Sequence, residues 1–150
     1  DVVGVDFSPT AIRGAKEFAI LQRVEADFIE GDLSLEWSFE SGEFDAVLDA
    51  NCLHFFHGSA RAHYLSEARR VLKDNGTFVI SSHVNQPEEK DWETLGYDPI
   101  DRVSRRDDVV LNNYRDAAEL IEEVAEAGFR ILSSVITKDD TEILWMVLRK

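Results

Sequence analysis

Short apolar runs alternate along this sequence with segments of helical periodicity, and this alternation strongly restricts the possible folds. The first run, residues 2–5, is β-branched and has no polar alternation. Such a run is typical of a strand buried on both faces of a parallel sheet. Ser8 and Pro9 follow as an N-cap and a first helical residue, so a helix is predicted from there to about Gln22.

The same alternation continues through the middle of the chain. Three further short apolar runs predict strands at 26–33, 44–50 and 77–84. Residues 58–72 predict a helix that is capped by Ser59, with a buried stripe at Leu65, Ala68, Val71 and Leu72. Asn75 and Gly76 tolerate the left-handed conformation and are expected to end that helix.

The C-terminal part predicts one helix and a pair of strands. Asp116 and Glu119 resemble a capping box before an apolar helical stripe, and Gly128 is expected to close that helix. Strands are predicted at 129–137 and 142–150. Because only residues 138–141 join them, they should pair as an antiparallel hairpin.

This element order predicts one α/β domain over residues 1–150. The expected architecture is a Rossmann-like three-layer sandwich whose sheet is mostly parallel and ends in a C-terminal antiparallel hairpin. Residues 85–110 are the least regular stretch, with prolines at 87 and 99. We interpret 85–114 as a lid or substrate loop, with a short helix near Trp92.

Charge and cysteine content exclude several classes of function. The formal net charge is −14, and no Lys or Arg occurs between Arg23 and Arg61, which argues against nucleic-acid binding. No apolar run is long enough for a membrane span. The single cysteine, Cys52, allows no internal disulfide and favours a cytoplasmic setting.

Four segments in this order resemble the class I S-adenosylmethionine-dependent methyltransferases, over essentially the whole chain. The segments are VVGVDFSPTAI, FIEGDL, FDAVLDANCLHFF and ARRVLKDNGTFVISSHV. They are similar to the family's second to fifth strands and the turns that follow them. The resemblance implies S-adenosylmethionine as the cofactor and a small molecule as the methyl acceptor.

The resemblance also implies roles in cofactor binding for the residues that follow these strands. Asp6 would accept hydrogen bonds from the ribose hydroxyls, and Phe7 would pack against the adenine. Asp32, after Gly31, would accept from the adenine amine, while the backbone N–H of Leu33 reaches a ring nitrogen. Asp49 would lie near the methionine part. Two simpler interpretations stay open: Asp6 as a helix cap, and Asp32 as an ordinary turn residue.

The methyl acceptor would approach residues that follow the fourth and fifth strands of the family. Asn51 and His54 are the catalytic candidates, with His54 as the base because imidazole titrates near neutrality. Further candidates for the acceptor pocket are Cys52, His83, Tyr114 and Arg115. His54 and His57 have the spacing of metal ligands on a helix, but no clear third ligand is present, so no metal is predicted.

The family's first strand and glycine-rich loop would come before Asp1. If a longer protein supplies them, the interpretation as an enzyme stands. If the chain starts at Asp1, cofactor affinity is expected to be weak or absent, and the two strands that lack their shared neighbour would pair with each other or through a homodimer. A non-catalytic, dimerising or binding module is therefore the second hypothesis. A nicotinamide-dependent dehydrogenase is the third, since Asp6 would serve there too, but Gly31-Asp32 and the terminal hairpin disfavour it.

Overall fold

A computed structural model describes residues 1–107, 109–138 and 141–150, which form two compact units, 1–38 and 39–150. The first unit contains strand β1 (Val3–Asp6), helix α1 (Pro9–Gln22) and strand β2 (Asp27–Glu30), in that order along the chain. The two strands pair in parallel. The Ser8 hydroxyl accepts from the backbone N–H of Ala11 at 3.3 Å. The predicted start and end of α1 are both confirmed.

The second unit contains a four-stranded sheet in the order β3-β4-β9-β8. Its strands and helices are β3 (Phe44–Ala50), α2 (Gly58–Val71), β4 (Leu72–His83), α4 (Ala117–Glu126), β8 (Arg130–Lys138) and β9 (Glu142–Arg149). On one face of the sheet, Phe78 and Ile80 of β4 pair with Leu148 and Met146 of β9, and all four side chains are buried. Helix α2 contacts β4, and α4 contacts β8.

The mixed α/β class is confirmed, but a mostly parallel sheet is wrong. Only β1 with β2 and β3 with β4 pair in parallel among the described strands. β9 inserts beside β4 and pairs antiparallel with both β4 and β8. The terminal hairpin is confirmed, although its link includes residues 139 and 140, which lie outside the described residues. The three-layer arrangement stays a prediction.

The region predicted as an irregular loop contains a small antiparallel sheet. Its strands, in the order β5-β6-β7, are β5 (Tyr97–Asp98), β6 (Val103–Arg106) and β7 (Val109–Asn113). The predicted short helix is present as α3 (Trp92–Leu95). Residues 85–114 therefore contain more regular secondary structure than their prolines and charges predict.

Helix α2 is confirmed within one residue of its predicted bounds, but its predicted cap, Ser59, and the predicted role of Asn75 and Gly76 in ending it are wrong. The cap position is His57, which makes no side-chain capping bond, so Ser59 lies inside the helix. At the other end Leu72 is already extended and begins β4. Asn75 does adopt a left-handed φ of 61°, but within β4, where the register with β3 shifts between residues 44 and 46. The turn-forming pair therefore makes an irregularity in a strand.

The capping box of α4 is confirmed. The Asp116 Oδ1 accepts from the backbone N–H of Glu119 at 2.9 Å, and the Glu119 Oε2 accepts from the N–H of Asp116 at 2.9 Å. Gly128 follows the helix with a φ of 88°, a conformation that favours glycine.

We expect Asp116→Ala to lower the free energy of unfolding by about 1 kcal/mol, because the first turn of α4 loses its side-chain acceptor. Urea denaturation measures the change. Glu126→Ala, at an exposed position of the same helix, is the control and should change stability little. Equal losses in both variants would contradict a specific role of the cap.

Among the described residues, no helix combines the length and apolar character that a bilayer crossing needs.

Candidate functional site

The carboxyl ends of β1 and β2 bring two predicted cofactor-binding segments together. β1 ends at Asp6, whose Cα pairs with that of Glu30 at the end of β2. Gly31 then donates its backbone N–H to the Asp6 carbonyl at 3.0 Å. Parallel strands place their carboxyl ends at one edge, where ligands of open α/β sheets bind. Asp6 and Gly31-Asp32 therefore share one edge.

The Asp6 carboxylate is exposed and already makes one local bond. Its Oδ1 accepts from the backbone N–H of Ser8 at 2.8 Å, but the cap of α1 is Ser8 itself, so the simpler interpretation of Asp6 as the helix cap is wrong. No bond to its Oδ2 is present within residues 1–107, 109–138 and 141–150, and a carboxylate offers about four acceptor sites. Phe7 is 78% exposed beside it. The bond to Ser8 thus leaves acceptor capacity on Asp6 for a ligand.

Asp32 is an exposed carboxylate after the end of β2. Its Oδ1 accepts from the backbone N–H of Ser34 at 2.9 Å. Hydrogen bonds from the Ser34 side chain and backbone lower the pKa of Asp32, so it is an ionised acceptor at neutral pH. The carbonyl of Leu33 accepts from the Trp37 indole at 3.1 Å, which fixes the turn.

The buried carboxylate of Asp49 organises the turn that follows β3. Asp49 is 1% exposed, and its two oxygens accept from the backbone N–H groups of Cys52 at 2.7 Å and Leu53 at 2.9 Å. Burial raises the pKa of Asp49, while hydrogen bonds from Cys52, Tyr64 and Leu53 and the charge of Arg61 oppose the rise. Asp49 thus builds the turn, and its contact with a methionine group stays a prediction.

Arg61 of α2 holds the same turn from the other side. It is 3% exposed, and its Nη1 donates to the Leu53 carbonyl at 2.7 Å. Its Nε and Nη2 donate to the two carboxylate oxygens of Glu123 at 2.5 and 2.8 Å. This bidentate pair joins α2 and α4, and the bond to Leu53 links it to the turn.

Asn51 begins that turn in a strained conformation. Its φ is 60°, a left-handed value that Asn tolerates better than most residues. Its backbone N–H donates to the Ser81 carbonyl of β4 at 3.2 Å. Its Oδ1 is buried and has no hydrogen-bond partner among the described residues. A buried acceptor without a partner costs about 1–3 kcal/mol, so this atom needs an explanation.

His54 lies in a one-turn 3-10 helix, Leu53–Phe55, and is 5% exposed. Its Nδ1 is buried without a partner in the part of the chain that the structure describes. Burial first, then the charges of His83 and Arg61, lower the pKa of His54 to about 4. The expectation that His54 titrates near neutrality is therefore wrong, and its imidazole is neutral at pH 7.

The His54 imidazole lies near the rings of Phe55 and His83. Its ring centroid lies 4.2 Å from that of Phe55 and 5.3 Å from that of His83, which ends β4. Cys52 is half-buried in the same turn. The described residues contain no group of three or more His, Cys, Asp and Glu side chains able to hold a metal. The sequence pattern of His54 and His57 thus has no third ligand within those residues.

Strand β7 packs against the His54 turn, a contact that the sequence did not reveal. Asn113 ends β7, is 3% exposed, and has a buried Oδ1 without a partner among the described residues. Val109 lies on the same face of β7 by strand alternation and is 61% exposed, so no alternation signal in the sequence indicates the buried position of Asn113.

Tyr114 and Arg115 precede α4, as predicted, and directly follow β7, which was not predicted. Tyr114 donates its backbone N–H to the Arg102 carbonyl at 2.8 Å, and its ring contacts Tyr97 edge to face at 5.1 Å. Arg115 donates from Nη1 to the Tyr114 carbonyl at 3.1 Å. Both side chains are half-buried, and their contact with an acceptor stays a prediction.

Comparison with known families decides the assignment. The sequence profile of the family described as "Methyltransferase domain" matches residues 1–76, half of the chain. This chain belongs to the methyltransferase domain family. No curated protein matches the sequence significantly.

Solved structures confirm the fold of this methyltransferase domain. Burkholderia thailandensis 1,6-didemethyltoxoflavin-N1-methyltransferase, solved with 1,6-didemethyltoxoflavin and S-adenosylhomocysteine, is similar with a TM-score of 0.75 and 24% identity; the match covers 99% of this chain and 60% of that one. A SAM-dependent methyltransferase from Methanosarcina mazei is similar with a TM-score of 0.78, 18% identity, and coverage of 99% and 81%. The [4+2]-cyclase SpnF reaches a TM-score of 0.75 at 17% identity, with coverage of 100% and 66%. These likenesses show the fold, which supports more than one reaction.

Proposed function

We propose that this methyltransferase domain binds S-adenosylmethionine and transfers its methyl group to a small-molecule acceptor. The observation that carries the proposal is the pair Asp6 and Gly31-Asp32 at the adjacent carboxyl ends of two parallel strands. That placement, in a member of the methyltransferase domain family, matches the expected ribose and adenine contacts. Similar folds include a methyltransferase with bound S-adenosylhomocysteine.

The first unit is proposed to bind the adenosine part. Asp6 retains acceptor capacity for the two ribose hydroxyls beside its bond to Ser8. The exposed ring of Phe7 packs against the adenine, and ionised Asp32 accepts from the adenine amine. The backbone N–H of Leu33 donates to a ring nitrogen.

The second unit is proposed to bind the acceptor. Asn51, Cys52 and His54 follow β3, and His83 ends β4, the neighbouring parallel strand of the larger sheet. S-Adenosylmethionine supplies an electrophilic methyl on a sulfonium, so the protein mainly positions the acceptor and excludes water. His54, neutral at pH 7, takes up the proton that the acceptor releases. A cytoplasmic setting and a homodimer are proposed from the sequence only.

We expect Asp6→Ala and Asp32→Ala each to weaken S-adenosylhomocysteine binding by about 10- to 100-fold, because each removes hydrogen bonds to a charged acceptor. Isothermal titration calorimetry measures the affinities. Asp27→Ala is the matched control, since Asp27 is an exposed acid at the opposite end of β2.

Two outcomes would reject the proposal. The first is no binding of S-adenosylhomocysteine or S-adenosylmethionine by the unaltered chain at millimolar ligand. That result, together with a dimeric mass in solution, would support the non-catalytic module instead. The second is a loss of S-adenosylhomocysteine affinity in Asp27→Ala that equals the loss in Asp6→Ala. Equal losses would mean that the acids affect binding through the overall charge of the chain and not through hydrogen bonds to the ligand.

A further inference from the structure

A buried tryptophan holds the turn that follows β2. Trp37 is only 8% exposed, and its indole Nε1 donates to the backbone carbonyl of Leu33 at 3.1 Å. A buried indole N–H usually finds an acceptor, so the bond alone is no sign of function. The acceptor used here, however, belongs to the turn that carries Asp32, the proposed partner of the adenine amine.

Trp37 and Asp32 bind the two sides of one peptide unit. The Leu33 carbonyl and the Ser34 N–H belong to the same planar peptide. Trp37 donates to the carbonyl, and the Asp32 Oδ1 accepts from the N–H at 2.9 Å. The Asp32 carbonyl accepts from the Leu35 N–H at 3.1 Å, so this peptide is the central unit of a β-turn. Because the unit is planar, holding its carbonyl also fixes the direction of the N–H that binds Asp32.

We infer that Trp37 is a positioning residue for adenine recognition, which acts through the peptide between Leu33 and Ser34 on the carboxylate of Asp32. It sets the preference of the turn for the 6-amino group of adenine over the 6-oxo group of hypoxanthine. The inference rests on the proposed function, because it concerns the cofactor site of the same reaction. Trp37 acts through Asp32 and needs no contact of its own with the ligand.

The Asp32 carboxylate depends on its hydrogen bonds for a fixed direction. Asp32 is exposed, so packing does not hold its side chain. The backbone and side chain of Ser34 both donate to it, and these bonds lower its pKa. A carboxylate accepts about four hydrogen bonds, so two bonds from Ser34 leave capacity for the adenine amine. A turn already held in its binding conformation loses less conformational entropy when the ligand binds.

Adenine and hypoxanthine differ at the group that Asp32 is proposed to recognise. Adenine carries an amine with N–H donors, whereas hypoxanthine carries a carbonyl oxygen at the same position. An ionised carboxylate only accepts hydrogen bonds, so it binds the amine and repels the oxygen. Sites built to pair with one such group reject the analogue that lacks it. The discrimination therefore depends on how firmly the Asp32 carboxylate is held.

The test compares S-adenosylhomocysteine with its 6-oxo analogue, S-inosylhomocysteine, by isothermal titration calorimetry of the full chain. The unaltered chain should bind S-adenosylhomocysteine at least about 30-fold more tightly than the analogue. Trp37→Phe keeps an aromatic ring but removes the N–H donor. It should weaken S-adenosylhomocysteine binding about five- to tenfold and change binding of the analogue by less than about twofold. A purely structural defect would weaken both ligands equally and leave their ratio unchanged.

A double-variant cycle tests the route through Asp32. In the Asp32→Ala background, Trp37→Phe should change S-adenosylhomocysteine affinity by less than about twofold, because the group that Trp37 positions is already absent. Trp145→Phe is the matched control, since it makes the same substitution in β9, at a position that is 40% exposed. It should leave the affinities for both ligands unchanged.

Several outcomes would overturn the role of Trp37. They are equal losses for the two ligands in Trp37→Phe, an unchanged affinity for S-adenosylhomocysteine in that variant, and losses that add in the double variant. A preference below about threefold in the unaltered chain also overturns it, because the turn would then not read the 6-amino group. No binding of S-adenosylhomocysteine by the unaltered chain refutes the proposed function itself, and the first titration shows this before any variant is compared.

Discussion

Replacing Glu123 with leucine is expected to lower the free energy of unfolding by about 3–5 kcal/mol. Glu123 is the bidentate partner of Arg61, and Arg61 is only 3% exposed. Removing the carboxylate leaves a buried guanidinium with no carboxylate bound to it, and the surrounding core cannot hydrate that charge. Urea denaturation followed by circular dichroism measures the change.

Two companion variants separate the ion pair from other effects of the substitution. Glu122→Leu, at an exposed position of the same helix, should change stability by less than about 0.5 kcal/mol. Arg61→Met combined with Glu123→Leu should recover much of the loss, because an apolar pair of similar volume carries no unpaired charge. A double variant as unstable as Glu123→Leu alone would show that the loss comes from packing instead of charge.

Local signals predicted the elements whose ends are encoded in their own residues. Helix α1 begins where Pro9 follows a capping serine, and α4 begins at a capping box formed by Asp116 and Glu119. The strand that ends at Asp6 was also predictable, because a β-branched run stops at an acid. At the start of both helices the deciding hydrogen bonds join residues within four positions of one another.

Pairing between distant segments was not predictable in the same way. β9 lies between β4 and β8, and this position depends on contacts across some 70 residues of chain. The β5-β6-β7 sheet was missed because its strands are short and stand among prolines and charges. Alternation cannot separate such strands from loops until their partners are known.

The candidate site shows the same division. Strand-end residues such as Asp6 and Asp32 are found from the sequence, because parallel strands place their carboxyl ends at one edge. The neutral state of His54 and the unpaired oxygen of Asn113 follow from burial, which depends on β7 packing against the turn. No local pattern of residues encodes that contact.

Acidification is expected to destabilise the chain through His54, by about 3 kcal/mol in total. The folded pKa of His54 is about 4, below the ordinary value of about 6.5 that applies in the unfolded chain. Between these values the unfolded chain binds a proton that the folded chain resists, so the free energy of unfolding falls as the pH falls. The stabilising effect of neutral His54 is therefore complete above about pH 6.5 and lost below about pH 4.

Comparison with His54→Phe isolates this contribution. Urea denaturation at several pH values from about 7 to 4 measures the free energy of unfolding of both proteins. On acidification, the free energy of unfolding of the unaltered chain should fall steadily relative to that of His54→Phe. Asp49 acts in the opposite direction, because its pKa is raised, but it is present in both proteins and its effect largely cancels in the difference. His57→Phe, at an exposed position before α2, is the control. Its free energy of unfolding should depend on pH in the same way as that of the unaltered chain.

A direct titration decides between burial and exposure of the imidazole. The His54 ring protons should shift with a midpoint near pH 4 in nuclear magnetic resonance spectra of the folded chain. A midpoint near 6.5, with a difference from His54→Phe that does not change with pH, would mean that water reaches the ring in solution. The turn would then be open, and His54 would be a stronger base than its burial beside Phe55 and His83 allows.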